Sequence, residues 1–197
     1  MILASPWPEP AVPAISLPEC VLATAAESPG RPAIIDAASG RTIRYEELAD
    51  GVLRVAAGLK ALGLRPGDVF AILAPNSPEW LLACYGAIAA GGVVTGINPL
   101  YTPGEVAAQL TDANARFILT APACVPTARA AVERAGGQAR MIVLGSAIDD
   151  MIPFTALLAH RGHPLPDQID RKPRHCCPIP AAPPGWLRVL CSPTAHA

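Results

Sequence analysis

Hydrophobic positions change their period several times along this chain, and each change predicts a new element. From residue 45, Leu48, Val52, Val55, Leu59 and Leu62 fall on one helical face, while Glu46, Glu47, Asp50, Arg54 and Lys60 fall elsewhere. That spacing predicts an amphipathic helix over 45–62, stopped by Gly63. After a tight turn at Arg65-Pro66-Gly67-Asp68 the pattern becomes an unbroken apolar run, Val69-Phe70-Ala71-Ile72-Leu73. Such a run fits a parallel strand covered on both faces. Ser77 then caps a further helix, with Pro78 in its first turn and Glu79 near its positive end.

The stretch from Gly91 to Leu110 sets the organisation of the rest. Gly91-Gly92 suits a helix C-terminus, because glycine enters the left-handed conformation without a Cβ penalty. Val93, Val94 and Ile97 form a short apolar strand, and Asn98-Pro99 stops it. Thr102-Pro103-Gly104-Glu105 is a capping box with proline in the first turn, so a helix begins there. The alternation continues with a helix over 103–113, a strand over 116–120, a helix over 126–135 and a strand over 141–144. Strands alternating with helices of this length require right-handed crossovers, and the expected fold class is α/β with a mainly parallel sheet and flanking helices. A sheet of that kind offers ligands the carboxyl ends of its strands, here Ala74-Pro75-Asn76, Gly96-Ile97-Asn98 and Thr120-Ala121. Asn76 and Asn98 are the polar candidates for lining a cleft; the alternative is that both cap turns.

Upstream, Ser16-Leu17-Pro18-Glu19 is a second capping box opening a short helix to about residue 26. Residues 33–36 and 42–45 read as two strands joined by a turn over 37–40, a hairpin assigned to the scaffold. Residues 80–97 hold no charge and reach the length at which a membrane span must be weighed. The glycines at 86, 91, 92 and 96 and the strand-like Val93-Val94 favour a buried helix feeding a buried strand.

Composition changes this picture at the ends. With 15 basic against 16 acidic residues among 197, nothing points to nucleic acid as a partner. The 23 prolines exceed what a globular chain of this length carries, and they concentrate at the termini. The expected division is therefore a proline-rich leader over 1–16, an α/β subdomain over 17–168 and a proline- and cysteine-rich tail over 169–197. The leader lacks the basic segment and long apolar core of a secretion signal, which with the scattered Cys20, Cys84 and Cys124, placed in predicted helices, suggests a cytoplasmic protein.

The run Asn98-Pro99-Leu100-Tyr101-Thr102-Pro103-Gly104-Glu105, preceded by Gly91-Gly92-Val93-Val94, resembles the AMP-forming, adenylate-forming ligases, most closely their 4-coumarate–CoA ligase and acyl-CoA synthetase branch. Ala33-Ile34-Ile35-Asp36 through Leu48, and Gly63-Leu64-Arg65-Pro66-Gly67-Asp68-Val69 through Trp80, match the same family in the same order. The resemblance runs from about Leu17 to about Asp170. It implies an N-terminal portion of an enzyme that uses ATP, Mg²⁺ and CoA to turn a carboxylic acid into an acyl-adenylate and then a thioester. Fatty acids and aryl propenoic acids are not separated by it.

Adenylation requires electrostatic stabilisation of an attacked α-phosphate. In the family this resembles the work of a Ser-Ser-Gly-Thr-Thr-Gly loop followed by Lys-Gly, expected soon after Asp170. No such run occurs, so the resemblance carries no catalytic, cofactor-binding or metal-binding residue onto this chain. In its place the 171–197 tail has no acidic residue and no hydrophobic period. A zinc set of His175, Cys176, Cys177, Cys191 and His196 is disfavoured, because adjacent cysteines lack the usual gap and no second shell surrounds them. The genetic code gives another account. Joining the third base of each codon to the first two of the next lets residues 175–186 encode Leu-Leu-Pro-Tyr-Ser-Ser-Gly-Thr-Thr-Gly-Leu. The following residues then permit Ala-Lys-Gly-Val-Val-Leu-Thr-His. An out-of-frame tail, shifted between about residues 165 and 174, is expected.

Three functional readings follow: a truncated ligase fragment, inactive alone and binding no cofactor itself; a binding or interaction module; and a non-functional product.

Overall fold

In the computed structural model, which describes residues 15–162, the changes of period become changes of element. Helix α1 (Leu17–Glu27) is opened by the reciprocal box at Ser16 and Glu19, whose N–H groups each donate to the other's side chain. Strands β1 (Pro32–Ile35) and β2 (Thr42–Arg44) form an antiparallel hairpin with Ile35 opposite Thr42. Helix α2 (Tyr45–Ala61) follows without a break, the Glu47 carboxylate accepting the Arg44 N–H at 2.7 Å. Then come β3 (Val69–Leu73), α3 (Pro78–Ala89), β4 (Val93–Ile97), α4 (Pro103–Asp112), β5 (Ala115–Thr120), a 3₁₀ turn (Pro122–Cys124), α5 (Val125–Arg134), β6 (Arg140–Val143), β7 (Ile152–Pro153) and α6 (Phe154–Leu158).

The last five strands form one parallel sheet in the order β4-β3-β5-β6-β7. The chain steps from β3 to one side and then crosses to the other, so the direction of winding reverses between β3 and β5. Such a reversal opens a crevice at the carboxyl ends of the strands. Leu73 is level with Ile97 and with Thr120, which brings the three following loops to a single edge.

Both faces of the sheet are covered, as the unbroken apolar run of β3 requires. One face, with Phe70, Ile72, Val94, Phe117, Leu119 and Ile142, packs on α2, α3 and α6 through Val52, Val55, Leu59, Leu82, Phe154 and Leu157. The other, with Ala71, Leu73, Ile97 and Ile118, packs on α4 and α5 through Val106, Leu110, Ala128, Ala131 and Val132. Each fully buried side chain of this size contributes about 1.5–3 kcal/mol. The α2 and α3 backbones approach closely because a Cβ on Gly86 would lie 2.4 Å from Val55 Cγ1, and one on Gly51 would lie 2.7 Å from a Leu82 methyl.

The expected parallel α/β class and the order of its elements are those observed, with ends moved by a residue or two. Helix α2 ends at Ala61, not 62, because Leu62 is its C-cap. The fifth helix begins at Val125 rather than 126, after the 3₁₀ turn, and that turn rather than a helix holds Cys124. Residues 80–97 are the bulk of α3 plus β4, and no helix among the described residues is long and apolar enough to cross a membrane. The sequence pattern missed β7 and α6, which return the chain onto α2: Arg54 donates to the Leu158 carbonyl at 3.2 Å, and Gly58 lies against Leu157. Residues 1–14 of the leader and the 169–197 tail, with the zinc set and the expected frameshift, lie outside the described residues.

Candidate functional site at the carboxyl edge of the sheet

Three loops meet where the strands end. The loop after β3 is tied to that after β5 by the Ala121 N–H, which donates to the Leu73 carbonyl at 3.2 Å. Ser77 leaves β3's loop as the N-cap of α3, its Oγ accepting the Trp80 N–H at 3.1 Å. In the loop after β4, the Asn98 Oδ1 accepts the Leu100 N–H and the Asn98 carbonyl accepts the Tyr101 N–H, both at 3.0 Å. Thr102 and Glu105 complete the predicted capping box, with the Thr102 N–H donating to the glutamate at 2.8 Å. Those bonds, the backbone N–H first, hold the Glu105 carboxyl below the usual glutamate range.

A groove of ≈ 380 Å³ opens at this edge, lined by Ile34, Ile35, Asp36 and Ala37 of the hairpin and by Asn76, Ser77, Pro78, Trp80 and Leu81. That volume lies at the small end of the range for small-molecule sites, roughly 300–1,000 Å³. Asn76 therefore lines a cleft wall, whereas Asn98 is absent from it and serves its own turn. The structure thus separates the two asparagines that the sequence had grouped. It also brings the hairpin, assigned to the scaffold, into the wall. The only sequence signal for that placement is a charge pair: Arg41 of the hairpin meets Glu79 of α3 at 2.6 Å.

The groove's electrostatics limit its chemistry. Asp36 stays anionic, its carboxyl held below the ordinary aspartate range first by the Ser39 hydroxyl and then by the Ala38 N–H. No lysine or arginine is among the lining residues, and Arg41 is engaged with Glu79. Among the described residues no three His, Cys, Asp or Glu side chains gather as a metal set. The residues that line the groove therefore offer no cation for a nucleotide's phosphates, and no catalytic step is routed through them. They supply an apolar wall with an indole, an amide and a hydroxyl.

A doubly wound parallel sheet with its crevice at the switch between β3 and β5 defines the class: an open α/β unit with flanking helices. The family model described as AMP-binding enzyme matches residues 21–182, and the chain belongs to that family. It is 34% identical over 145 residues to 4-coumarate–CoA ligase 3 of Oryza sativa subsp. japonica, covering 74% of this chain and 26% of the relative. It is 44% identical over 100 residues to 4-coumarate–CoA ligase of Pinus taeda, covering 51% of this chain and 19% of that one. Among solved structures, a benzoate CoA ligase from Burkholderia xenovorans LB400 superposes with TM-score 0.66 at 26% identity, over 74% of this chain and 28% of the other. The chain thus spans about a quarter or less of the length of these relatives.

Proposed function

We propose that this chain is the N-terminal portion of an ATP-dependent carboxylate–CoA ligase of the cytoplasm, contributing one wall of the cleft in which the complete enzyme would form an acyl-adenylate and then a CoA thioester. Membership of the AMP-binding enzyme family over residues 21–182 carries this reading. ATP, Mg²⁺, CoA and a carboxylic acid would serve the complete enzyme, and aryl propenoic acids and fatty acids are both open as substrate. The apolar groove, free of cations, fits a wall beside an acyl or aryl group better than a phosphate cradle.

By itself the 197-residue chain is proposed to be inactive. Purified protein incubated with ATP, labelled pyrophosphate and a panel of aryl and fatty acids is expected to show no acid-dependent exchange; exchange above a heat-treated control would refute this. The tail beyond residue 168 is proposed to be an out-of-frame translation of the phosphate-binding loop. Sequencing codons 160–197 tests that directly, since the shifted frame must spell Ser-Ser-Gly-Thr-Thr-Gly.

The groove itself favours a second reading, a non-catalytic binding module. Saturable quenching of Trp80 fluorescence by an adenine nucleotide or an acyl-CoA would support it.

A further inference from the structure

Among the described residues β4 is an edge strand of the sheet, and half of its backbone groups face away from β3. The Val93 N–H donates to the Asp68 carbonyl at 2.9 Å. Alternation along the strand therefore turns Thr95 and Ile97 toward β3 and the Gly96 carbonyl toward the open edge. That carbonyl is met by a side chain. The Gln109 Nε2 of α4 donates to it at 3.0 Å and to the Thr95 Oγ1 at 3.0 Å. Gln109 is 4% exposed and Thr95 fully buried. Both amide hydrogens are used, while the buried Oε1 has no partner. Turning the amide over would set Oε1 against the Gly96 carbonyl, acceptor against acceptor, so the network fixes its orientation. The glutamine supplies two donors here and leaves its buried acceptor without a partner.

We infer that Gln109 is a positioning residue for the 98–102 loop: it takes the place of a neighbour strand at Gly96, where the described residues supply none, and ties the loop's entry to the helix that follows it. Gly96 opens the loop and Gln109 lies two turns into α4, so the clamp closes a short ring around Asn98, Leu100 and Tyr101. The clamp also reaches the groove, because Trp80 lies against Gly96, its Cζ2 3.8 Å from where a Cβ would stand. The loop's importance rests on the proposed use of this edge as a cleft. The test below needs no ligand, so failure of the clamp and failure of the ligase reading are distinguishable.

Native-state hydrogen exchange on the full chain tests it, with Gln109→Met, which keeps the volume, and Gln109→Glu, which keeps the shape but offers no donor as a carboxylate. The amides of Leu100 and Tyr101 are expected to exchange at least tenfold faster in both variants, relative to the change at β3 and β5 amides. A merely structural role would move all these amides in proportion. Proportional change, or unchanged protection at Leu100 and Tyr101, overturns the inference. Should either variant fail to fold, Thr95→Val is the second arm. It removes one partner of the amide and is expected to raise exchange at the same two amides severalfold; no local change there overturns the inference equally.

Discussion

The two edges of the sheet use charge in opposite ways. At the amino edge, where β5 and β6 begin, Arg116 pairs with Asp68 at 2.5 Å and also reaches the Gly63 carbonyl, while Arg140 donates to the Leu62 carbonyl at 2.5 Å. Both guanidiniums lie over the Phe117 ring, 5.9 and 5.8 Å from its centroid. Cations there satisfy the carbonyls of Leu62, the C-cap of α2, and of Gly63 just beyond it, and complement the helix's negative end. At the carboxyl edge the carboxylates serve local turns and pairs: Glu105 caps α4, Asp36 closes the hairpin, Glu79 holds Arg41, and Asp149 and Asp150 meet Arg129. The first edge is cross-braced. The second keeps an open groove and an exposed Leu100, at 89% of its full accessibility. No cation lines the groove, so its walls offer a phosphate no opposite charge.

The largest expected effect comes from removing the ring that both arginines cover. Phe117→Ala deletes a fully buried side chain that also stacks on Phe70, and should cost about 3–5 kcal/mol in urea unfolding. A cost below about 1 kcal/mol would mean that the amino edge is not braced through Phe117. Asp68→Asn comes next: it loses the Arg116 pair and weakens acceptance of the Arg65 N–H, now at 2.7 Å. Because Arg116 is half exposed, screening limits the loss to about 1 kcal/mol, shrinking in high salt.

At the other edge, Asn76→Arg should leave stability within about 0.5 kcal/mol while adding a cation to the groove wall. Salt-sensitive attraction of a polyanion dye, absent in the parent chain, would measure the change; an equal response in both would deny that the groove lacks anion affinity. The smallest effect concerns pH. Asp36 and Glu105 both have lowered carboxyl pKa values in the folded state. Their contribution is therefore present above the ordinary carboxylate values and lost as pH falls through the folded ones, below about pH 4. Glu105→Gln should flatten the acid limb of the stability curve by lowering its neutral plateau slightly toward the acid value, as followed by unfolding midpoints across pH.

Much of the architecture was legible because local rules and burial agree. The 3.6-residue face of Leu48, Val52, Val55 and Leu59, the box at Thr102 and Glu105, and the left-handed Gly91 at φ +92° are all set by neighbours within a few residues along the chain. The α6 segment was missed because five residues carry too little periodicity to stand out; Phe154 and Leu157 declare themselves only by filling space against α2. The groove was half legible. Asn76 follows from its place after a parallel strand, but the wall formed by Ile34 to Ala37 depends on how the hairpin leans on α3, a contact across 38 positions between Arg41 and Glu79.

By itself the sequence determined the alternation of strands and helices, the caps that start and stop them, and the family to which their motifs are similar, because hydrogen bonding and side-chain period are settled over a few residues. Only the tertiary structure decided which loops share an edge, that Asn76 and Asn98 part company, and that Gln109 stands in for a strand. Those outcomes depend on the order in which the strands lie side by side, and that order is fixed by packing both faces at once.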